Sequence, residues 1–293
     1  MSIKLLNEKR MDELIQFINQ EEITKEYLKQ NQKIIYINEN QNINGVIIFD
    51  VIKNEIELCL GTDEIKQQLI AVIKKIALKD IVYQNKIIQI KTKKQFKYYE
   101  EVYDFIHQQK DRVYSLDNFK KYMQEFYNIQ HALKCIHVCG TNGKGSELAF
   151  LSEILTKSGY RTGRYISPTL YSYRERIQVD KEMIDRDSLA SLTTKVKTAI
   201  DSMLADGLQS PTVFEVETAI SFLYFIQKQC DIVVLETGLG GTLDATNVVT
   251  TTVLEVIASI GMDHMMFLGN TLGEIAKNKA GIIKPNTAVV SAK

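Results

Sequence analysis

A glycine-rich segment, GTNGKGS, gives the strongest chemical signal in the sequence. Its residues are Gly140, Thr141, Asn142, Gly143, Lys144, Gly145 and Ser146, between the apolar run CIHVC and a helix-like stretch. Glycines let the backbone turn tightly and direct N–H groups at phosphate oxygens, and a helix N-terminus adds partial positive charge. Lys144 can neutralise β- and γ-phosphates, and the Ser146 hydroxyl can bind Mg²⁺. The spacing departs from GxxxxGK[ST], because Gly145 separates Lys144 from Ser146, and an ordinary glycine turn is the alternative.

A second signal is the acidic end of the apolar run DIVVLE. Glu236 ends this run, where its carboxylate could bind Mg²⁺, a cation that prefers oxygen ligands. A solvated glutamate at a strand end is the alternative. The following glycines, with Asp244, favour a close approach of the backbone to a ligand. These glycines are Gly238, Gly240 and Gly241.

A third signal follows the apolar run TTVLEVIAS. His264 comes soon after it, where a neutral imidazole could reach a metal. Thr271 and Glu274 form a capping box, so we expect a helix that starts there, carries Lys279 and ends at Pro285. The alternatives are a structural histidine and a solvated surface lysine.

The elements that must position these residues form an α/β pattern. The strand candidates CIHVC, DIVVL, TTVLEVIAS and TAVVS are nearly continuous apolar runs, separated by helix-like segments. Strands covered by helices on both faces have this composition, which predicts a mainly parallel sheet with flanking helices. Ligands gather beyond the carboxyl ends of such strands, which is where the three signals lie.

The first part of the chain predicts a separate, small α+β domain. We place the boundary near the basic stretch 91–97, giving domains 1–97 and 98–293. The first domain should contain an amphipathic helix near Met11, a hairpin from KIIYI and GVIIFDV, a strand EIELCL, a helix over 63–78 and a strand KIIQIK. This order faintly resembles a GNAT-type acetyltransferase. The phosphate loop of that family needs several close glycines, whereas LGTDEIKQQ has one, so a structural or interaction role is favoured and the function is unknown.

Composition excludes several classes of protein. The chain has 293 residues, 45% of them hydrophobic and 25% charged, with 36 basic and 36 acidic side chains. This balance is typical of a globular protein and indicates no extended nucleic-acid or membrane surface. No apolar run is long enough for a membrane span, and the start lacks a signal-peptide core. Four cysteines without CxxC spacing favour a reducing cytoplasm.

Five colinear motifs carry a family resemblance. They are GTNGKGS, ISPTLYSYRERI, TVFEVETA, LETGLGGTLDATNVV and SIGMDH…LGNTLGEIAKNKAGIIKP. From Tyr98 onward the chain closely resembles folylpolyglutamate synthase and dihydrofolate synthase, which are Mur-type ATP-dependent amide ligases. The resemblance implies the P-loop-containing central domain of such a ligase. It also implies that ATP phosphorylates the carboxylate of a folate, tetrahydrofolate or dihydropteroate, and that the amine of L-glutamate then attacks the acyl phosphate.

The resemblance also implies roles for individual residues. Those matching the first magnesium site are Ser146, Ser167 and Glu236. Those matching the second site are Glu236, His264 and Lys279, with Lys279 at the position of a carbamylated lysine. The implied catalytic residues are Lys144, His264 and Lys279. The pterin-binding positions are Thr212, Phe214 and Asp244, with Phe214 stacking and Asp244 forming hydrogen bonds. Arg174 and Arg176, in the flexible loop, could bind carboxylates or be solvated.

The sequence departs from the family after the strand-like TAVVSAK. The family has a further domain there, which supplies the glutamate pocket and much of the adenine contact. We therefore expect a fragment of a longer enzyme, a chain that acts with a partner chain, or a non-catalytic protein. The competing hypothesis is a nucleotide-binding remnant or regulatory protein. A Mur-type ligase acting on a peptidoglycan precursor is a third, and the ERI and LDATN motifs count against it.

Overall fold

The computed structural model of the chain describes residues 2–5, 11–18, 33–39, 43–50, 55–76, 81–83, 86–88, 99–109 and 114–292. The chain divides into two compact units. The first unit comprises residues 1–95 with 123–132, and the second comprises 96–122 with 133–293.

The first unit contains a six-stranded sheet whose strands follow one another in chain order. Its strands are β1 Ser2–Leu5, β2 Lys33–Glu39, β3 Ile43–Asp50, β4 Glu55–Leu60, β5 Ile81–Tyr83 and β6 Lys86–Ile88. Its helices are α1 Met11–Ile18 and α2 Asp63–Ile76. All neighbouring strands are antiparallel except β4 and β5, which are parallel. Leu14 and Ile18 of α1 pack with Ile35, Ile37 and Val46 in the core.

The structure confirms the hairpin, the strand EIELCL and the helix that begins at Asp63. The predicted end of that helix, and the last three residues of KIIQIK, lie outside the described residues. The sequence analysis missed β1 and β5, which are short and carry no long apolar run.

The second unit contains a seven-stranded sheet in the order β10-β9-β8-β11-β7-β12-β13. Its strands are β7 Cys135–Cys139, β8 Thr162–Tyr165, β9 Ile177–Val179, β10 Glu182–Met183, β11 Ile232–Glu236, β12 Thr252–Ile257 and β13 Ala288–Ser291. The strands from β8 to β13 in this order are parallel, and the β9–β10 hairpin adds an antiparallel edge. The predicted mainly parallel sheet is confirmed.

Helices follow or flank these strands. The remaining α-helices are α3 Tyr99–His107, α4 Leu116–Gln124, α5 Lys144–Lys157, α6 Arg186–Ala205, α7 Val213–Gln227, α8 Met265–Leu268 and α9 Leu272–Lys279. Short 3₁₀ helices span Tyr173–Arg176, Ala245–Val248 and Ala280–Ile282, and a further one, Ile129–Ala132, belongs to the first unit.

Both faces of the parallel sheet are covered, which explains the uninterrupted apolar strands. On one face, Leu148 of α5 packs with Ile136 and Val234. On the other face, α7 approaches so closely that a Cβ added at Gly163 would lie 2.8 Å from the Phe225 ring. Helices on the two faces bury both sides of each central strand, as parallel sheets require.

Two capping boxes fix where helices begin in the second unit. Thr212 and Glu215 cap the start of α7, and Thr271 and Glu274 cap the start of α9, which confirms the predicted helix start. The predicted end at Pro285 is wrong, because α9 ends at Lys279 and tightens into the 3₁₀ helix Ala280–Ile282. Such tightening is common in the last turn of a helix.

No helix in the described part of the chain has the length and apolar composition that a bilayer crossing requires. All four cysteines are free thiols.

Candidate functional site

The glycine segment forms the turn between β7 and the N-terminus of α5. Gly143 is the residue preceding the helix and has φ 87°, a left-handed conformation that favours glycine. It has no side chain with which to cap the helix, so the first N–H groups of α5 remain available to a ligand. Asn142, Gly145 and Ser146 are exposed. The turn therefore presents backbone donors to solvent, as a phosphate site requires.

Lys144 folds back over this turn. Its Nζ donates to the carbonyl oxygens of Gly140, at 3.1 Å, and Thr141, at 3.4 Å. The ammonium group is thereby held above the N-terminus of α5. A cation and a helix N-terminus at one place form an anion site.

The loop after β12 is tied to the glycine segment. The Thr141 N–H donates to the Ser259 carbonyl at 2.8 Å, and the Thr141 hydroxyl donates to the Gly261 carbonyl at 3.1 Å. The Gly261 N–H donates back to the Thr141 hydroxyl at 3.0 Å. These bonds link the loop that follows β7 to the loop that follows β12.

Glu236 ends β11, beside β7, and only 5% of it is exposed. One carboxylate oxygen accepts the Ser167 N–H at 3.4 Å, so the structure brings these two predicted metal residues together. Burial raises the pKa of the Glu236 carboxyl, and the positive charge of Lys144 opposes that rise. The alternative of a solvated strand-end glutamate is not what the structure shows.

Lys279 is the second lysine at this edge. It is 4% exposed, and its Nζ donates to the Gly140 carbonyl at 2.9 Å. Gly140 thus accepts hydrogen bonds from both Lys144 and Lys279. Burial lowers the pKa of the Lys279 ammonium, with Lys144 contributing in the same direction. The alternative of a solvated surface lysine is therefore wrong.

His264 lies in the loop after β12. Its backbone has φ 48°, and its side chain is 56% exposed, with Nε2 3.6 Å from an oxygen of Asp263. Within the described residues, the structure does not join its ring to Glu236 or Lys279 by a hydrogen bond. The described residues also contain no group of three or more His, Cys, Asp and Glu side chains that could hold a metal.

A cavity of about 950 Å³ lies beside this edge and is lined by Ser167 and by the three predicted pterin-binding residues. Its aromatic lining is formed by Tyr103, Tyr114, Tyr171, Tyr173, Phe214 and Phe267. Thr212 caps α7, and Phe214 in its first turn lies 5.8 Å from the Tyr165 ring, centroid to centroid. An aromatic wall that also carries polar side chains, among them Arg176, Glu217 and Asp244, suits a flat heteroaromatic ligand.

Asp244 lines the cavity but its oxygens are already bonded. One oxygen accepts the N–H groups of Gly238, at 2.8 Å, and Leu239, at 2.9 Å. The other accepts the N–H of Thr246, at 2.9 Å, and its hydroxyl, at 2.5 Å. Burial raises the pKa of Asp244. In this structure its hydrogen bonds shape the glycine loop that borders the cavity.

His137, on β7, extends this network and was missed by the sequence analysis. Its Nε2 lies 2.7 Å from the Thr246 hydroxyl, and burial lowers its pKa to about 3. Because the Thr246 proton goes to Asp244, His137 Nε2 donates to Thr246 when Asp244 is ionised. No local signal could reveal this, since the two residues are 109 positions apart.

The loop that contains both predicted arginines is braced by an acid. Glu175 accepts the N–H groups of Leu170, Tyr171 and Ser172 at 2.9, 2.9 and 2.6 Å. Arg174 donates to the Ile184 carbonyl at 2.9 Å and does not line the cavity.

Arg176 lines the cavity and lies 3.3 Å from Glu217. Neither arginine is therefore the solvated loop charge that the sequence analysis gave as one alternative. The sequence analysis missed Glu217, although its position one turn after Phe214 on the predicted helix could have indicated it.

No protein-family model matches the chain. It is 42% identical over 178 residues to the dihydrofolate synthase/folylpolyglutamate synthase of Bacillus subtilis, covering 60% of this chain and 41% of that protein. The Mycobacterium tuberculosis folylpolyglutamate synthase complexed with ADP is 31% identical, with a TM-score of 0.61, covering 67% of this chain and 45% of that one. A complex of FPGS with AMPPCP and folate is 36% identical, with a TM-score of 0.63, covering 66% of this chain and 48% of that one.

These comparisons confirm the resemblance to folylpolyglutamate and dihydrofolate synthases and the α/β fold. The chain spans less than half the length of these relatives: 41% of the Bacillus subtilis protein, and 45% and 48% of the two solved chains.

Proposed function

We propose that residues 98–293 form the ATP-binding domain of an ATP- and Mg²⁺-dependent ligase that joins L-glutamate to a folate carboxylate. One observation carries the proposal. The glycine turn, the buried Glu236 and the buried Lys279 meet at one sheet edge, beside an aromatic cavity that Ser167 also lines. This arrangement places a phosphate-binding turn next to a site suited to a flat ring.

The proposed reaction needs activation of a carboxylate. A carboxylate oxygen of the folate attacks the γ-phosphorus of ATP, ADP leaves, and an acyl phosphate forms. The amine of glutamate then attacks the acyl carbon, an amide bond forms, and inorganic phosphate leaves with the C–O bond electrons. Lys144 and the N–H groups at the start of α5 would hold the phosphates and offset repulsion between the two anions.

The residues present fit Mg²⁺. Glu236 is a buried carboxylate, and Ser146 offers an exposed hydroxyl at the start of α5, so the donors are oxygens. Ser146, Ser167 and Glu236 would hold one ion. A second ion, at Glu236, His264 and Lys279, would need the exposed His264 ring to turn toward Glu236 and Lys279 to be modified. Bound Mg²⁺ supplies positive charge that neutralises the phosphates.

Lys279 could serve as a ligand only after modification, because an ammonium group cannot bind a cation. Addition of CO₂ to the neutral amine would give a carbamate and release one proton. The lowered pKa of Lys279 enlarges the fraction of neutral amine that this reaction needs. We expect Lys279→Ala to lower activity, and added short carboxylates to restore part of it.

In the cavity, Phe214 would stack on the pterin, and Thr212, whose N–H and hydroxyl oxygen bond Glu215, would form part of the wall. Asp244 would act on the ring chiefly by holding the loop at Gly238 and Leu239 in place. Folate and glutamate as substrates, a cytoplasmic location and the division into domains 1–97 and 98–293 belong to the same proposal.

The test is an assay of ATP-dependent glutamate addition to tetrahydrofolate and to dihydropteroate, with products identified by mass spectrometry. The proposal expects a glutamylated product that requires Mg²⁺ and is lost in Lys144→Ala. ATP binding without product at high protein concentration would overturn the ligase proposal and favour a nucleotide-binding remnant. The comparisons do not favour that alternative, since the relatives are named as synthases.

A further inference from the structure

An ion pair between Arg176 and Glu217 lies in one wall of the cavity. Arg176 Nη1 lies 3.3 Å from Glu217 Oε2, and both residues line the cavity. Only 14% of the Arg176 side chain and 3% of the Glu217 side chain are exposed. Solvent therefore screens neither charge well, and each depends on the other for compensation.

An aromatic cluster lies beside the Glu217 carboxylate. Tyr173 favours the ionised form of Glu217, against the burial that raises its pKa. Tyr173 is packed edge-on against Tyr103, at 5.6 Å between ring centroids, and Tyr103 stacks on His107 at 3.8 Å. These rings line the same cavity as Glu217.

The Arg176 guanidinium lies beside a short hydrogen-bonded chain. Thr218 donates its hydroxyl proton to the Phe214 carbonyl at 2.7 Å. The Tyr165 hydroxyl, 3.0 Å from the Thr218 hydroxyl, must therefore donate to it. The charge of Arg176 interacts with Tyr165, while its buried Nε has no hydrogen-bond partner among the described residues, so Glu217 is the acid with which Arg176 pairs.

Glu217 follows Phe214 by one turn of α7, which places the two side chains on the same face of the helix. A ring stacked on Phe214 would have the ion pair near its edge. The other carboxylate that lines the cavity, Asp244, is engaged by four hydrogen bonds. Arg176 is the only lysine or arginine among the described residues that line the cavity, so Glu217 decides whether an unpaired cation faces the ligand.

We propose that Glu217 determines ligand choice by neutralising Arg176. The inference rests on the proposed function, because it assumes that the cavity receives a pterin-like ring. With the pair intact, Arg176 presents no unpaired positive charge, and the wall accepts an uncharged heteroaromatic ring. A ring that carries an anionic group at this edge gains nothing from Arg176 and is repelled by Glu217. Removal of the Glu217 charge leaves a buried guanidinium that attracts such an anion.

The experiment compares two pterins that differ in charge, 6-hydroxymethylpterin and 6-carboxypterin, titrated by pterin fluorescence. The wild-type chain should bind the uncharged pterin at least about tenfold more tightly. Glu217→Gln should improve affinity for 6-carboxypterin by about tenfold and change affinity for the uncharged pterin by less than about threefold.

Two further variants separate charge from stability. Glu215→Gln removes a fully buried acid of the same helix that bonds the Thr212 N–H and does not line the cavity. It should lower the melting temperature without changing the preference. The double variant Arg176→Gln/Glu217→Gln lacks both charges of the pair and should lose the gain for 6-carboxypterin. The double variant leaves no buried charge unpaired, so it remains testable if Glu217→Gln does not fold. In that case the test uses Arg176→Gln alone, which should lower the affinity for 6-carboxypterin further.

An unchanged preference in folded Glu217→Gln would overturn the inference, as would a gain for 6-carboxypterin that persists in the double variant. If the wild-type chain binds neither pterin, the proposed function of the cavity fails, and this inference fails with it. The two failures are thus distinguishable.

Discussion

Two strand-to-helix turns of this chain share a backbone plan and differ in chemistry. In the first unit, β4 leads through Gly61 and Thr62 into α2; in the second, β7 leads through residues 140–143 into α5. The Thr62 hydroxyl accepts the Ile65 N–H at 3.4 Å, which closes the first turn. The second turn has Gly143 at the equivalent position and leaves its N–H groups to a ligand.

The residues that begin the two helices carry opposite charges, although the first turn of α5 also contains Glu147. Asp63 and Glu64 occupy the first turn of α2, where carboxylates offset the positive end of the helix dipole. Lys144 begins α5, where it adds to that positive charge. One N-terminus is thus stabilised by the protein itself, and the other is left for an anion. The acidic first turn of α2 adds to the single glycine as a reason against an acetyltransferase-type phosphate site in residues 1–97.

The largest expected effect tests this difference directly. Lys144→Ala should weaken ATP binding by about 100-fold, because it removes a charge-assisted hydrogen bond of about 2–3 kcal/mol. Calorimetric titration would measure the loss, and an unchanged melting temperature would show an intact fold. Lys66→Ala, at the start of α2, is the matched control and should leave affinity unchanged. Equal affinity of Lys144→Ala and wild type would refute the phosphate assignment.

Ser146→Asp places an additional acidic side chain in the first turn of α5, as Asp63 and Glu64 do in α2. The new carboxylate should repel phosphate and lower ATP affinity by about 30-fold, roughly 2 kcal/mol. It should also raise the free energy of unfolding by about 0.5 kcal/mol, because it offsets the helix dipole. Titration and urea denaturation measure the two effects. A variant that binds ATP as tightly as wild type would contradict the comparison.

Glu236→Gln should reduce the gain in ATP affinity that Mg²⁺ provides, by about tenfold. The pKa of Glu236 is raised, so its protonation should also weaken this gain in the wild type as pH falls, and the variant should show only the part of the dependence that protonation of ATP itself causes. ATP titrations with Mg²⁺ or with chelator measure the gain. Glu255→Gln, a fully buried acid on β12, is the control and should retain it. A normal Mg²⁺ gain in Glu236→Gln would remove Glu236 from the proposed metal site.

Asp63→Asn should have the smallest effect. It removes a carboxylate from the N-terminus of α2 and should lower the free energy of unfolding by about 0.5 kcal/mol. Urea denaturation measures the loss, and ATP affinity should not change. An increase in stability would mean that the acidic first turn serves something other than the helix.

Local patterns in the sequence predicted the features that local physics controls. The apolar runs of β7 and β11 indicated a sheet buried on both faces, and Thr271 with Glu274 indicated a helix start. The strand ends then placed Glu236 and the glycine segment at one edge. Each of these inferences needs only a short stretch of chain and the rule that parallel strands end together.

The features that the sequence analysis missed depend on contacts between residues that are distant in sequence. Strand β8 reads TGRY, and its Gly163 is small because the Phe225 ring lies against it. His137 forms its hydrogen bond with Thr246, which is distant in sequence, and Glu217 on α7 pairs with Arg176 in a separate loop. The ligand roles of the predicted site residues stay predictions, and the exposed position of His264 beside Asp263 could not be read from spacing.

The anchoring of residues 170–172 by Glu175 has a consequence for association. Leu170 and Tyr171 are 81% and 94% exposed, yet their amides are tethered to one carboxylate. Their main chain is preorganised before any encounter, so capture of a ligand at this rim immobilises chiefly side-chain torsions. The entropic penalty of ordering this rim on binding is correspondingly small, which favours affinity.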